Sequence, residues 1–194
     1  MKRHLANILK KLSREKELEK ISVGDIVKAG NVNRSTFYYY FKDKDDLIRY
    51  IFEDDVIGRY FPPEHDGKWI ENIQMRLKAI DKDRPFYRQT LELHGSNNFQ
   101  NVFLASGYHL GRCFIENYLN GRELDETSKD FIASFYASAS VAMSVAFMQN
   151  ERTETPEEAA QRFFDVTESG MCDAIEICLE RFQTRKSQQL GENC

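Results

Sequence analysis

Cysteine, proline and histidine are scarce in this 194-residue chain, with four of each, and glycine is limited to ten. The cysteines (Cys113, Cys172, Cys178 and Cys194) form no C-x-x-C pair and have no histidine cluster beside them. That spacing argues against a disulfide framework or a zinc site and leaves buried, reduced thiols as the expectation. The few prolines and glycines mostly lie between periodic segments, and no run alternates apolar and polar residues as a half-buried strand would. A phosphate-cradling glycine loop, a nucleophile elbow and metal-ligand spacing are all missing. No carboxylate pair stands out from the solvated charges. An enzyme is therefore disfavoured, and neither a metal nor an organic cofactor is expected. The first twenty residues are too charged for the apolar core of a signal peptide.

What is present is a globular balance of 41% hydrophobic and 30% charged residues. The formal charge of −4 is unevenly spread. Residues 1–44 carry eleven Lys/Arg and five Asp/Glu, a local charge of +6, and the remainder carries −10. A basic head on an acidic body suits a protein that meets phosphates at one end.

Helical periodicity runs through the chain. Leu5, Ile8, Leu9 and Leu12 predict an amphipathic helix over residues 3–16. Ser22, followed three residues later by Asp25, reads as a capping box opening a short helix that ends at Gly30-Asn31. Asn33 caps a second short helix reaching Tyr40 or Phe41, and residues 44 to about 59 form a longer one. Phe61-Pro62-Pro63 and Gly67 are the first strong punctuation, so a domain boundary is expected near Asp55–Asp66. Further helices are expected at about 67–82, 85–93, 97–120, 124–150 and 156–184, with a break at His94–Asn97, a turn at Asn120-Gly121 and a frayed tail over 185–194.

Two short helices joined by a Gly-Asn turn, behind an amphipathic first helix, form a helix-turn-helix pattern at about 23–42. In its second helix, Phe37 and Phe41 share one face and point to a core. Arg34, Ser35 and Tyr39 lie opposite, with reach suited to a major groove. Three consecutive tyrosines, Tyr38–Tyr40, cannot all turn inward. The stretch from Ile21 to Leu47, with T-F-Y-x-x-F-x-x-K-x-x-L at its centre, resembles the DNA-binding domain of the TetR family over residues 3–52.

The resemblance implies an all-α fold of about nine helices: a DNA-binding domain over 1–55 and a regulatory and dimerisation domain over 66–184. It implies that Ser22 caps the helix lying against the DNA backbone. Asn33, Arg34, Ser35, Thr36 and Tyr39 fall at base-edge or nearby phosphate positions, Tyr38 at a phosphate donor, Tyr40 where histidine is more frequent, and Lys44 at a phosphate point charge. Gly24 stands where a longer polar residue often reaches DNA, so that contact is expected to be missing. The implied partners are a double-stranded operator and a second copy of the chain, with no membrane and a cytoplasmic location. Phe86-Tyr87-Arg88, Phe99 and Phe103-Leu104 resemble a branch that includes activators of dihydroxyacetone kinase operons, where control comes from a protein co-regulator.

From Phe131 to Asn150 there is no charge, yet four serines and several alanines make the run weakly apolar for a membrane span. It is expected as a helix buried on several sides, closing a two-fold four-helix bundle with the last helix. Phe103, Tyr108, His109, Arg112, Tyr136 and Met143 are candidate linings of an effector pocket for a small molecule. The competing reading is an effector-independent DNA-organising or interaction protein with the same head.

Overall fold

The computed structural model describes residues 1–57, 69–93, 98–149 and 154–192. Among these residues the chain is all-α, as expected, and has no strand. Its helices are α1 (Lys2–Leu12), α2 (Val23–Ala29), α3 (Arg34–Tyr40), α4 (Lys44–Phe52), α5 (Trp69–Lys82), α6 (Arg84–Glu92), α7 (Asn98–Leu119), α8 (Glu126–Gln149) and α9 (Pro156–Glu192). A 3-10 turn, Leu18–Lys20, precedes α2, and a π-helical turn, Glu53–Ile57, extends α4. The punctuation expected at Phe61–Gly67 and at His94–Asn97 lies outside the described residues. The chain divides into two compact units, Met1–Val102 with Ser144–Ala160 and Phe103–Met143 with Gln161–Cys194.

Side-chain caps set several of the helix starts. The Ser22–Asp25 box closes reciprocally, with the Asp25 N–H donating to Ser22 Oγ (3.2 Å) and the Ser22 N–H to Asp25 Oδ2 (2.8 Å). Asp43 accepts from the Asp46 N–H (2.8 Å), and Thr155 and Glu158 cap α9 in the same reciprocal way. Each such cap satisfies backbone donors that the first turn leaves without partners, and is worth about 1 kcal/mol.

Helix α1 stops four residues short of its expected end. The Ser13 hydroxyl donates to the Lys10 carbonyl (2.9 Å), and the Ser13 carbonyl accepts from Gln89 Nε2 (2.8 Å), which releases the chain into the turn that buries Leu18. At the other end, α9 runs on to Glu192 instead of stopping at 184. Arg185, Lys186 and Gln188 are good helix formers, and Lys186 pairs with Glu123 (2.7 Å).

In the first unit Leu5, Leu9, Leu18, Ile26, Phe37, Leu47, Ile51 and Phe52 are fully buried and gather α1 to α4 around one core. Burial of each such side chain is worth about 1.5–3 kcal/mol. In the second unit Ile115, Leu119, Ile132, Met171, Ile175 and Leu179 form the core. There α7 and α8 run antiparallel along a seam of small residues. A Cβ built on Gly107 would lie 3.2 Å from the Ala137 Cα, and one on Gly111 3.2 Å from the Ala133 Cα. Between these helices Asn120 (φ 46°) and Gly121 (φ 84°) both take the left-handed region and turn the chain back.

One flank of α8 stays open within the single chain: Phe131 is 72% and Phe135 60% exposed, and Met143 is exposed as well. A single chain has too few helices beside α8 to cover it. The thiols depart from the expected burial: Cys113 is exposed, Cys172 is half-buried, and Cys178, also half-buried, packs against the edge of the second unit's core.

The α7–α8 seam has no room for a larger side chain. Gly111→Leu is expected to lower the unfolding free energy by about 1–3 kcal/mol or more in urea titrations.

Candidate nucleic-acid interface

The helix-turn-helix rests on its turn. Gly30 is right-handed (φ −83°), and Asn31 takes the left-handed conformation (φ 50°) that reverses the chain between α2 and α3. His4 Nε2 donates to the Gly30 carbonyl (3.0 Å) and so pins the turn to α1. That contact was not foreseen, since a lone histidine on a charged helix has no distinguishing sequence signal.

Asn33 Oδ1 accepts three hydrogen bonds: from the Thr36 N–H (2.8 Å), the Thr36 hydroxyl (2.7 Å) and the Ser35 hydroxyl (2.7 Å). These three candidate residues thus form one capping cluster at the start of α3. Ser22 is likewise engaged, its hydroxyl donating to Asp25 Oδ2 (2.8 Å). Phe37 is fully buried and packs against Phe41 with ring centroids 5.8 Å apart. On the opposite side Tyr38 is 55% and Tyr39 81% exposed. Tyr40 is half-buried and meets the Tyr39 ring edge-to-face at 4.8 Å. Arg34 is exposed, and its guanidinium lies 3.4 Å from where a Gly24 Cβ would be. The arginine therefore sweeps across the first turn of α2, over space that a side chain at position 24 would fill.

Lys44 departs most from its sequence reading. Its ammonium donates to the backbone carbonyls of Leu18 (2.8 Å), Glu19 (3.0 Å) and Ile21 (2.9 Å). An ammonium has three donors, and all three are used. Burial pushes its pKa down, against the opposing pull of Asp45 and Glu19. The lysine is thus an anchor for the α1–α2 link rather than a free point charge. Gln89 of α6 holds the same link from the other side, accepting from the Leu18 N–H (2.6 Å) while donating to the Ser13 carbonyl.

Among the described residues, the candidate effector residues make separate contacts. The Tyr108 hydroxyl donates to Asp130 (2.5 Å). Arg112 pairs with the same Asp130 and with Glu126 (2.6 Å), and these partners, Glu126 foremost, raise its pKa. Its charge is matched by carboxylates and not held for a ligand. His109 and Met143 are exposed, Phe103 is buried, and the Tyr136 hydroxyl sits 2.8 Å from where a Gly170 Cβ would be.

Residues 10–51 match the family model described as bacterial regulatory proteins, tetR family, and residues 67–169 match the model of a transcriptional regulator C-terminal region. The chain belongs to the TetR family. It is therefore a transcription regulator and not an enzyme, and the family's helix-turn-helix implies DNA binding. Among relatives of this TetR-family chain is the HTH-type dhaKLM operon transcriptional activator DhaS of Lactococcus lactis subsp. lactis (strain IL1403). It is 25% identical over 142 residues, which cover 72% of this chain and 75% of that protein. A solved dihydroxyacetone kinase operon activator DhaS superposes with a TM-score of 0.69 at 22% identity, covering 88% of this chain and 95% of the other. A TetR transcriptional regulator from Streptococcus agalactiae 2603V gives 0.56 at 23% identity, covering 86% and 92%. At these identities the two structural likenesses speak for the fold.

Two expectations follow from the geometry. Lys44→Met should destabilise the protein by about 1–3 kcal/mol in urea unfolding and leave the salt dependence of DNA binding unaltered. A slope smaller by about one would return Lys44 to a phosphate contact. Asp25 accepts from the Ser22 N–H, the Ser22 hydroxyl and Lys16, which together hold its pKa at about 2. Its unfolded value is about 3.9, so the stabilisation by this cap is complete above about pH 4 and is lost as pH falls further. The stability gap between wild type and Asp25→Asn should close as the pH drops through about 2.

Proposed function

We propose that this regulator binds a near-palindromic double-stranded operator as a homodimer, reading each half-site with Arg34, Tyr38 and Tyr39 of α3. The carrying observation is the division of that helix. Phe37 is fully buried, the cap hydroxyls are engaged, and these three long polar groups are left outward. Arginine pairs with guanine edges, and tyrosine hydroxyls reach phosphates or bases. Ser22, Asn33, Ser35 and Thr36 act mainly as caps that aim the reading groups, Tyr40 braces Tyr39, and Lys44 holds the entry to α2. The head is residues 1–55, and residues 66–184 form the regulatory and dimerisation region. Cytoplasmic location is part of the same reading.

The dimer reading draws on the open flank of α8 and on α9, where Val166 (70%) and Ile177 (48%) are also exposed. By length and composition α8 could cross a membrane, and only 33% of its most apolar window is buried within one chain, which leaves an apolar surface to be covered. Its interleaved serines and alanines suit a second protein surface better than lipid, and two such helix pairs close a four-helix bundle. Two-fold symmetry sets the two recognition helices about 34–36 Å, or a multiple, apart. Control enters through the region 66–184, from a small molecule or a protein co-regulator.

Arg34→Ala with Tyr39→Ala should weaken binding to the cognate promoter by about tenfold or more, with helical content by circular dichroism unchanged. Equal affinity of the two proteins would refute the assignment. Phe131→Glu with Phe135→Glu should give a folded monomer in sedimentation velocity, with operator affinity falling alongside.

A further inference from the structure

The first unit carries a groove of about 450 Å³ bordered by α1, the π-helical turn and the end of α5. Lys10 forms its floor. Only 12% exposed, it pairs with Asp55 and with Asp83 (2.8 Å), and its ammonium lies 5.8 and 5.6 Å from the ring centroids of Phe86 and Tyr87. Arg14 pairs with the other oxygen of Asp83 (3.0 Å), and the Tyr87 hydroxyl donates to Asp55 (3.2 Å). Burial pushes the Asp83 carboxyl up, but Lys10 and Arg14 outweigh it and hold the pKa below its usual value. Asp55 and Asp83 are thus matched by the two cations Lys10 and Arg14. Lys11 and Lys82 stand exposed at the rim, and among the described residues neither has a carboxylate within ion-pair distance.

We propose that this groove binds a small, multiply charged anion, a phosphate-bearing or polycarboxylate metabolite, between Lys11, Lys82 and the outer edge of Arg14. Lys11 and Lys82 sit in the last turns of α1 and α5, where a cation offsets the helix dipole. The dipole accounts for each lysine separately, but not for their convergence on one concavity whose inner carboxylates are already neutralised. A compact anion satisfies that excess charge. A duplex backbone, an extended rod of phosphates, suits a concave site floored with Asp55 and Asp83 less well. Arg14 is 66% exposed and can turn from Asp83 toward the ligand. The Lys10–Asp83–Arg14 clasp ties α1 to the end of α5, so an anion that draws Arg14 away loosens the support of the reading head. That consequence rests on the DNA-binding reading, whereas the binding of the anion does not.

The test uses the full chain with inorganic pyrophosphate as the probe, against chloride at matched ionic strength, and follows the thermal midpoint. The expected result is a saturable rise of about 3–6 °C at roughly ten times Kd. The rise should be abolished in Lys11→Gln with Lys82→Gln, while the ligand-free midpoint falls by no more than a few degrees as the two helix dipoles lose their cations. Should the double variant be unstable, the single variants carry the same test, each raising the pyrophosphate Kd about tenfold. No shift in wild type, or an equal shift in wild type and variant, overturns the proposal. So does a variant that keeps the pyrophosphate response but shows a DNA salt slope lower by about two, since the lysines would then be duplex contacts. The Arg34→Ala, Tyr39→Ala protein should keep the full pyrophosphate response, so failure of the DNA assignment and failure of this one are read separately.

Discussion

Three carbonyls of the link between α1 and α2 converge on the Lys44 ammonium, and the placement of the reading head depends on that convergence. A cation at the first position of α4 is disfavoured by the helix dipole, so α4 itself gives no reason for a lysine there. The reason lies across the fold. The link presents the Glu19 and Ile21 carbonyls, to which no backbone N–H donates among the described residues, beside the Leu18 carbonyl, which accepts from the Ile21 N–H (3.3 Å), and a partly buried carbonyl without a partner is destabilising by about 1–3 kcal/mol. Asp43, Asp45 and Asp46 restore the negative charge that the first turn of α4 prefers. With the link held by Lys44 on one side and Gln89 on the other, the α2 capping box follows at once, and the direction of α2 sets that of α3.

Helix α3 has only seven residues, too few to be stable alone. Its order comes from both ends and one face: the Asn33 cap with its two hydroxyls, the Phe37 and Phe41 rings in the core, and the left-handed Asn31 that brings the helix round. Residues of similar polarity thereby take different jobs. Ser35 and Thr36 are drawn inward to Asn33, whereas Arg34, Tyr38 and Tyr39 remain outward. Gly24 contributes by what it lacks, since the Arg34 guanidinium lies across its open α-carbon.

The second unit follows a different economy of space. Gly107 and Gly111 against Ala137 and Ala133 bring two backbones close together, and close approach increases dispersion contact along the seam. Beside the seam, Arg112 and Lys129 form an ion cluster with Glu116, Glu126 and Asp130. The outward flank of α8 carries Phe131 and Phe135 with no charge among them, an apolar surface that a second chain can cover.

Periodicity and cap chemistry are local, so the sequence by itself determined most of the helices, the Ser22–Asp25 and Asn33 caps, the Asn31 turn, the buried side of α3 and the family. Spacing of three or four residues says which groups share a helix face, and no neighbour from elsewhere is needed to read it. Only the tertiary structure decided what each polar group meets. Lys44 became an anchor because carbonyls 23 to 26 residues earlier lie within its reach. Arg112 and Tyr108 joined an ion cluster instead of a cavity because Asp130 comes to them from the antiparallel helix. Lys10, Lys11, Arg14 and Lys82 came to line one groove for the same reason. A charged side chain is long, flexible and tolerant of many surroundings, so its pattern along the chain does not specify its partner, whereas burial and distance across the fold do.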